Sequence, residues 1–270
     1  MIFLEKLIQL VEQGGSFLCV GLDPDVKIFP AGIPKNCDGI VEFNREIIAA
    51  TKDFTIAYKP NFAFYERWGV AGWKALEQTR RMIPADKIAI ADAKRGDIGN
   101  TSKMYAQAIL QELDFDAITV NPWMGEDSVE PFLENEEKGV YFLTVTSNSG
   151  SQDFQKQQSG DKIMYERVIE NVQLWNRKQN AGIVVGATQP EELRKIRDFA
   201  PELPILIPGL GAQGGDLEAS VSAAFSCDGA PPLFNQSRGI LYADSGKDFA
   251  EVAHQTAQKT RNAINKAKEQ

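Results

Sequence analysis

Short apolar runs alternating with stretches of helical periodicity constrain this chain more than any other feature. The runs lie at 17–22, 54–58, 88–91, 115–120, 140–146, 182–186 and 204–208, with a last strand-like piece within 234–242. Ile88-Ala89-Ile90-Ala91 is apolar at every position instead of alternating. Strands that read this way are covered on both faces, as in a parallel sheet flanked by helices. Helical runs fall at 40–51, 69–82, 107–113, 161–180, shortly after Pro190, at 217–224 and at 247–268. Strand and helix alternating eight times predict an α/β fold, a (β/α)8 TIM barrel. Phe3, Leu7, Leu10 and Val11 form one stripe that ends at Gly14-Gly15, which predicts an extra N-terminal helix covering one end. No linker, repeat or shift of composition divides the chain, and 270 residues suit a single domain over 1–270.

Composition narrows the partners. A net charge of −8 argues against nucleic acid, which calls for a basic face. An anionic small molecule would still need local positive charge, so lysines and arginines at strand ends matter. Three cysteines without paired spacing disfavour disulfides and structural zinc and fit a reducing cytoplasm. The single histidine, His254, sits in the last helical run, which argues against a histidine triad or histidine metal cluster. The amphipathic N-terminus is no signal peptide, and no apolar run approaches membrane-spanning length.

The third strand runs directly into charge, as Asp92-Ala93-Lys94-Arg95-Gly96-Asp97. Asp92 and Lys94 are two apart and point to the same side while the chain stays extended. Gly96 permits a sharp change of direction before Asp97. Asn100 or Thr101 can cap the helix that follows. A carboxylate beside a lysine keeps both ionised, and an ammonium held in a dry pocket is a proton donor aimed at one spot. The second carboxylate can hold the lysine or grip sugar hydroxyls. A surface ion-pair cluster at a strand end has the same local appearance.

Other strand ends add polar groups. Asp23 follows the first strand and Lys59 ends the second, where barrel ligands bind, although an Asp-Pro turn and a solvated lysine read alike locally. Pro208-Gly209-Leu210-Gly211-Ala212-Gln213-Gly214-Gly215 follows the seventh strand and precedes a helix, the usual phosphate position in such barrels. Arg238 at the eighth strand supplies a guanidinium suited to a phosphate dianion. A flexible turn and a surface arginine are the plainer readings. Residues 147–160 are polar apart from Phe154 and long for a strand-helix connection, so they form a lid or a tolerated insertion; a lid is favoured. Among these strand ends there is no metal-ligand cluster, Walker loop or dinucleotide fingerprint.

The segment from Asp92 to Thr101 resembles the signature of the orotidine 5′-phosphate decarboxylase family, in its bacterial type 2 subgroup. The likeness extends to Gly21-Leu22-Asp23-Pro24, Tyr58-Lys59-Pro60-Asn61 and the glycine-rich loop from Pro208. It implies decarboxylation of orotidine 5′-monophosphate to UMP, in de novo pyrimidine synthesis, without metal or organic cofactor. Lys59, Asp92, Lys94 and Asp97 match the family's charged tetrad, with Lys94 protonating C6 after CO2 leaves and Asp92 near the departing group. Asp23 and Lys59 match ribose contacts, and Ser147 a contact to the pyrimidine. Pro208, Gly209, Gln213 and Arg238 fall on the phosphate side. Asp97 and Thr101 match residues that reach the partner subunit's site, which implies a homodimer. The better-known subgroup differs at Arg95-Gly96 and has shorter loops. A related Mg2+-dependent hexulose-phosphate synthase shares D-x-K-x-x-D but needs an acidic metal ligand and usually a histidine. A non-catalytic phosphoribosyl-binding barrel would have no use for a proton donor.

Overall fold

A computed structural model describes residues 1–187, 190–209 and 216–270. Its centre is a closed barrel of parallel strands: β1 (Leu18–Leu22), β2 (Ala57–Pro60), β3 (Ile88–Arg95), β4 (Ala117–Val120), β5 (Gly139–Val145), β6 (Ala181–Val185), β7 (Ile205–Pro208) and β8 (Leu233–Gln236). Each strand pairs with its neighbours in chain order, and β8 closes on β1 through Leu18 opposite Phe234. The (β/α)8 expectation therefore holds. The strands are buried along nearly their whole length, which is why they read as unbroken apolar runs.

The surrounding helices are α1 (Phe3–Gly14), α2 (Cys37–Thr51), α3 (Ala63–Glu66), α4 (Gly69–Met82), α5 (Gly99–Ala106), α6 (Glu126–Leu133), α7 (Met164–Trp175), α8 (Pro190–Phe199), α9 (Leu217–Ala224), α10 (Arg238–Leu241) and α11 (Phe249–Lys268). Helix α1 ends as expected, with Gly15 left-handed at φ 53° and its N–H donating to the Val11 carbonyl. It lies across the strand starts, where Phe3 is buried edge-on to Tyr141 and Lys6 donates to Asp116 at 2.6 Å. The opposite end, where the strands finish, is left for a site.

Several boundaries differ from the expected ones. The 161–180 helix is only α7: Gly160, at φ 67°, turns a small hairpin that pairs Gln158-Ser159 with Lys162-Ile163 and takes its start, and Asn176, at ψ 42°, leaves helical geometry at its end. Residues 107–112 are a π-helical continuation of α5, which itself starts at Gly99. The last strand-like piece divides into β8 and α10. Helix α6 was not expected. Lys59 does not end β2, which runs one residue further to Pro60.

Candidate active site

The site is built around an irregularity between β3 and β4. Ala91 pairs with Ile118 and Arg95 with Val120, so Asp92, Ala93 and Lys94 all stand opposite the single residue Thr119. Such an excess bends the bulged strand and re-aims its side chains. Here the cost falls on Lys94, whose φ is 46°, a left-handed conformation unusual for a lysine. Lys94 and Asp92 therefore do not meet by simple extended alternation. The turn that follows is also not made at Gly96; Gly99 is the left-handed glycine, at φ 48°. Gly96 matters for packing, since a Cβ there would stand 3.1 Å from the Asn121 carbonyl oxygen. Neither Asn100 nor Thr101 caps α5, because both already lie inside it after Ile98.

The bulge brings three charged groups together. Asp92 Oδ2 accepts from Lys59 Nζ at 2.6 Å and Asp92 Oδ1 from Lys94 Nζ at 2.5 Å. The Asp92 and Lys59 side chains are only 9% and 6% exposed, whereas that of Lys94 is 50% exposed. Lys59 thus lies at the floor, Asp92 bridges, and the Lys94 ammonium stands at the mouth. Burial works against the charged forms of Asp92 and Lys59, yet their mutual attraction outweighs it. Lys59 and Lys94 hold the Asp92 carboxyl well below the usual carboxylate range. Asp92 and then Asp23 hold the Lys59 ammonium above the usual lysine value. Behind this row, Arg95 pairs with Glu66 and lies over the rings of Phe62 and Tyr105. Cys19 also faces the interior, where its thiol lies 3.5 Å from Asn235 Oδ1. Burial pushes the Cys19 thiol up to about 12, so it is no nucleophile at neutral pH.

Of the remaining expected residues, Asp23, Ser147, Pro208, Gly209 and Arg238 lie at or just beyond strand ends on the same rim. Asp23 directly follows β1, and its buried Oδ1 has no hydrogen-bond partner among the described residues. Tyr242, which sequence reasoning passed over, pins the Asp23-Pro24-Asp25 turn: its hydroxyl donates to the Asp23 carbonyl at 3.0 Å and accepts from the Asp25 N–H at 2.6 Å. Arg238 opens α10, the short helix that Tyr242 follows, and is exposed. Pro208 ends β7, and Gly209 turns away at φ 102°. Gln213 lies outside the described residues. Ser147 follows β5 and approaches Gly186 so closely that a Cβ there would stand 2.8 Å from the Ser147 nitrogen.

Two expected members stand apart within one chain. Asp97 accepts from its neighbour's N–H, that of Ile98, at 2.8 Å and forms no ion pair with Lys59 or Lys94 among the described residues. Thr101 is exposed in the first turn of α5. The ammonium of Lys94 is therefore held by one carboxylate of its own chain, not two. Thr119 was also missed; the signal available was a hydroxyl in an otherwise apolar strand, Ala117-Ile118-Thr119-Val120. Among the described residues no group of three or more His, Cys, Asp or Glu is arranged to hold a metal ion.

The sequence profile described as the orotidine 5′-phosphate decarboxylase / HUMPS family matches residues 16–253. An orotidine 5′-phosphate decarboxylase of Dehalococcoides mccartyi is 53% identical over 269 residues, covering 98% of each chain. That of Thermomicrobium roseum is 47% identical over 273 residues, covering 100% of this chain and 97% of its own. The solved structure of Leishmania donovani OMP decarboxylase superposes with a TM-score of 0.88 at 38% identity over 100% of both chains.

Proposed function

The chain belongs to the orotidine 5′-phosphate decarboxylase family, and from that premise we propose that it converts orotidine 5′-monophosphate to UMP and CO2, with Lys94 as the proton donor to C6. The observation that carries this reading is the row Lys59–Asp92–Lys94, where a half-exposed ammonium is fixed 2.5 Å from a buried carboxylate. When the bond from C6 to the carboxylate breaks, its electron pair stays on a ring carbon without a carbonyl to absorb it. A preorganised cation at that carbon lowers the barrier most. One Lys94 N–H proton then moves to C6, and the amine regains a proton from solvent. Asp92 orients the ammonium and sits beside the departing carboxylate, while Lys59 keeps Asp92 ionised.

The rest of the rim holds the nucleotide. Asp23 and Lys59 take the ribose, Ser147 the pyrimidine, and Arg238 with Pro208, Gly209 and Gln213 the phosphate. The unpartnered Asp23 Oδ1 supports the ribose assignment, because buried polar atoms are satisfied by some partner. Asp97 and Thr101 serve the site of a second copy. Their segment also exposes Ile98 and Met104, at 58% and 49%, as a subunit contact requires. The 147–160 segment acts as the lid. It rests through Phe154 on Trp123, with ring centroids 5.8 Å apart, over an apolar cavity of about 420 Å³ that leaves it room to shift. Phosphate binding far from C6 can be used to close it. The thiols of Cys19, Cys37 and Cys227 are all free, in keeping with a reducing cytoplasm.

The test follows the loss of orotidine 5′-monophosphate absorbance in the parent and Lys94→Ala proteins, with and without EDTA. Parent turnover indifferent to EDTA, and a variant that binds UMP without releasing CO2, are expected. CO2 release at the parent rate by Lys94→Ala would end the proton-donor assignment. Abolition by EDTA would instead favour a metal-dependent reaction of the hexulose-phosphate synthase kind.

A further inference from the structure

We infer that Thr119 is a positioning residue for the reaction, holding Lys94 in the left-handed conformation that aims its ammonium. The inference rests on the proposed role of Lys94 and goes beyond it. The pairing of β3 with β4 resumes only at Arg95 opposite Val120, so the Lys94 N–H has lost its ladder acceptor. The Thr119 hydroxyl replaces that acceptor at 3.0 Å. The same hydroxyl lies 3.2 Å from Asp92 Oδ1 and donates its only proton there. One oxygen thus fixes both ends of the Asp92–Lys94 unit, the carboxylate by donating and the lysine backbone by accepting.

Direction follows from proton count. The carboxylate can only accept and the backbone N–H can only donate, so a hydroxyl between them has one workable orientation. Thr119 is 2% exposed, so water does not compete for either bond. β-branching limits the χ1 of Thr119, which keeps the oxygen in place. Without that oxygen, a φ of 46° at Lys94 has no compensating bond. The lysine then relaxes toward ordinary extended backbone and its ammonium swings off the carboxylate. A displacement of about 1 Å in such a group costs about a hundredfold in rate.

Two pairs of proteins isolate the hydroxyl. Parent and Thr119→Val have the same side-chain shape, and Thr119→Ser and Thr119→Ala are both small, so each pair differs mainly in the oxygen. Turnover, UMP affinity and thermal midpoint are measured for all four, with Lys94→Ala as reference. In each pair, loss of the hydroxyl is expected to lower kcat about thirtyfold to a hundredfold. UMP affinity should change by less than about threefold, since the product's binding does not depend on where the ammonium points. A merely structural role would lower the thermal midpoint while leaving kcat in the folded protein intact. If Thr119→Val does not fold, the Ser and Ala pair decides alone. Equal kcat within a pair, with Lys94→Ala inactive, overturns the positioning role and leaves the proton donor standing. Turnover by Lys94→Ala overturns the donor itself.

Discussion

Replacing Lys59 by methionine tests the floor of the site. The substitution keeps the length of the aliphatic stem and removes only the ammonium, 2.6 Å from Asp92 Oδ2. Breaking a buried ion pair by deleting one partner costs about 3–5 kcal/mol, because the other charge stays buried. Asp92 would keep Lys94, but that ammonium is half exposed and compensates only in part. The expected loss is therefore about 3 kcal/mol at pH 7, at the low end of that range. A chain of 270 residues gains roughly 0.6 kcal/mol per degree in unfolding entropy, so the midpoint should fall by about 5 °C.

The pH dependence has a definite sign. The Asp92 pKa in the folded protein lies below its ordinary 3.8, so this group's stabilisation is present above that pH and lost as pH falls through the folded value. The Lys59 pKa in the folded protein lies above 10.5, so its stabilisation is present below that pH and lost as pH rises through the folded value. The Lys59→Met penalty should thus form a plateau between about pH 5 and 9 and shrink on both sides. Urea unfolding followed by tryptophan fluorescence at about pH 3.5, 7 and 11 measures the plateau and both flanks. A Lys59→Met, Asp92→Leu double variant should recover much of the loss, since no buried charge remains unpaired. A penalty under about 1 kcal/mol at pH 7, or one that grows in acid, would refute the buried-pair reasoning.

Two other expectations concern the nucleotide and the second subunit. Arg238→Ala should weaken UMP binding by about tenfold to a hundredfold and leave uridine binding unchanged; equal UMP affinity in calorimetry removes the arginine from the phosphate site. Lys94→Ala and Asp97→Ala proteins should each be inactive, yet mixing them through refolding should restore about a quarter of parental activity, because half the dimers carry one intact composite site. No recovery, with mixed dimers present by mass, would place Asp97 in its own chain's site.

How much was legible depended on the range of the interaction that decides each feature. Burial on both faces wrote β1 to β8 into the sequence as apolar runs, and the charged residues that end them marked the rim. Asp92, Lys94 and Lys59 could be read as one cluster because strand order alone brings β2 beside β3. Local sequence misjudged the turn, since Gly96 was the obvious pivot and Lys94 took the strain instead. It also extended α7 over residues that the hairpin claims, because pairing of 158–159 with 162–163 is not visible in helical periodicity.

The chain alone determined which chemical groups were available and the layered architecture that carries them, since composition and spacing set both burial and chain direction. Only tertiary structure decided how those groups are aimed. Three residues of β3 must pass one residue of β4, and a threonine 25 positions away supplies the bond that makes this conformation tolerable. Tyr242 steadies the Asp23 turn from 219 positions away in the same manner. Such contacts exist only once the barrel has closed, because closure sets the register between neighbouring strands and brings β8 back beside β1.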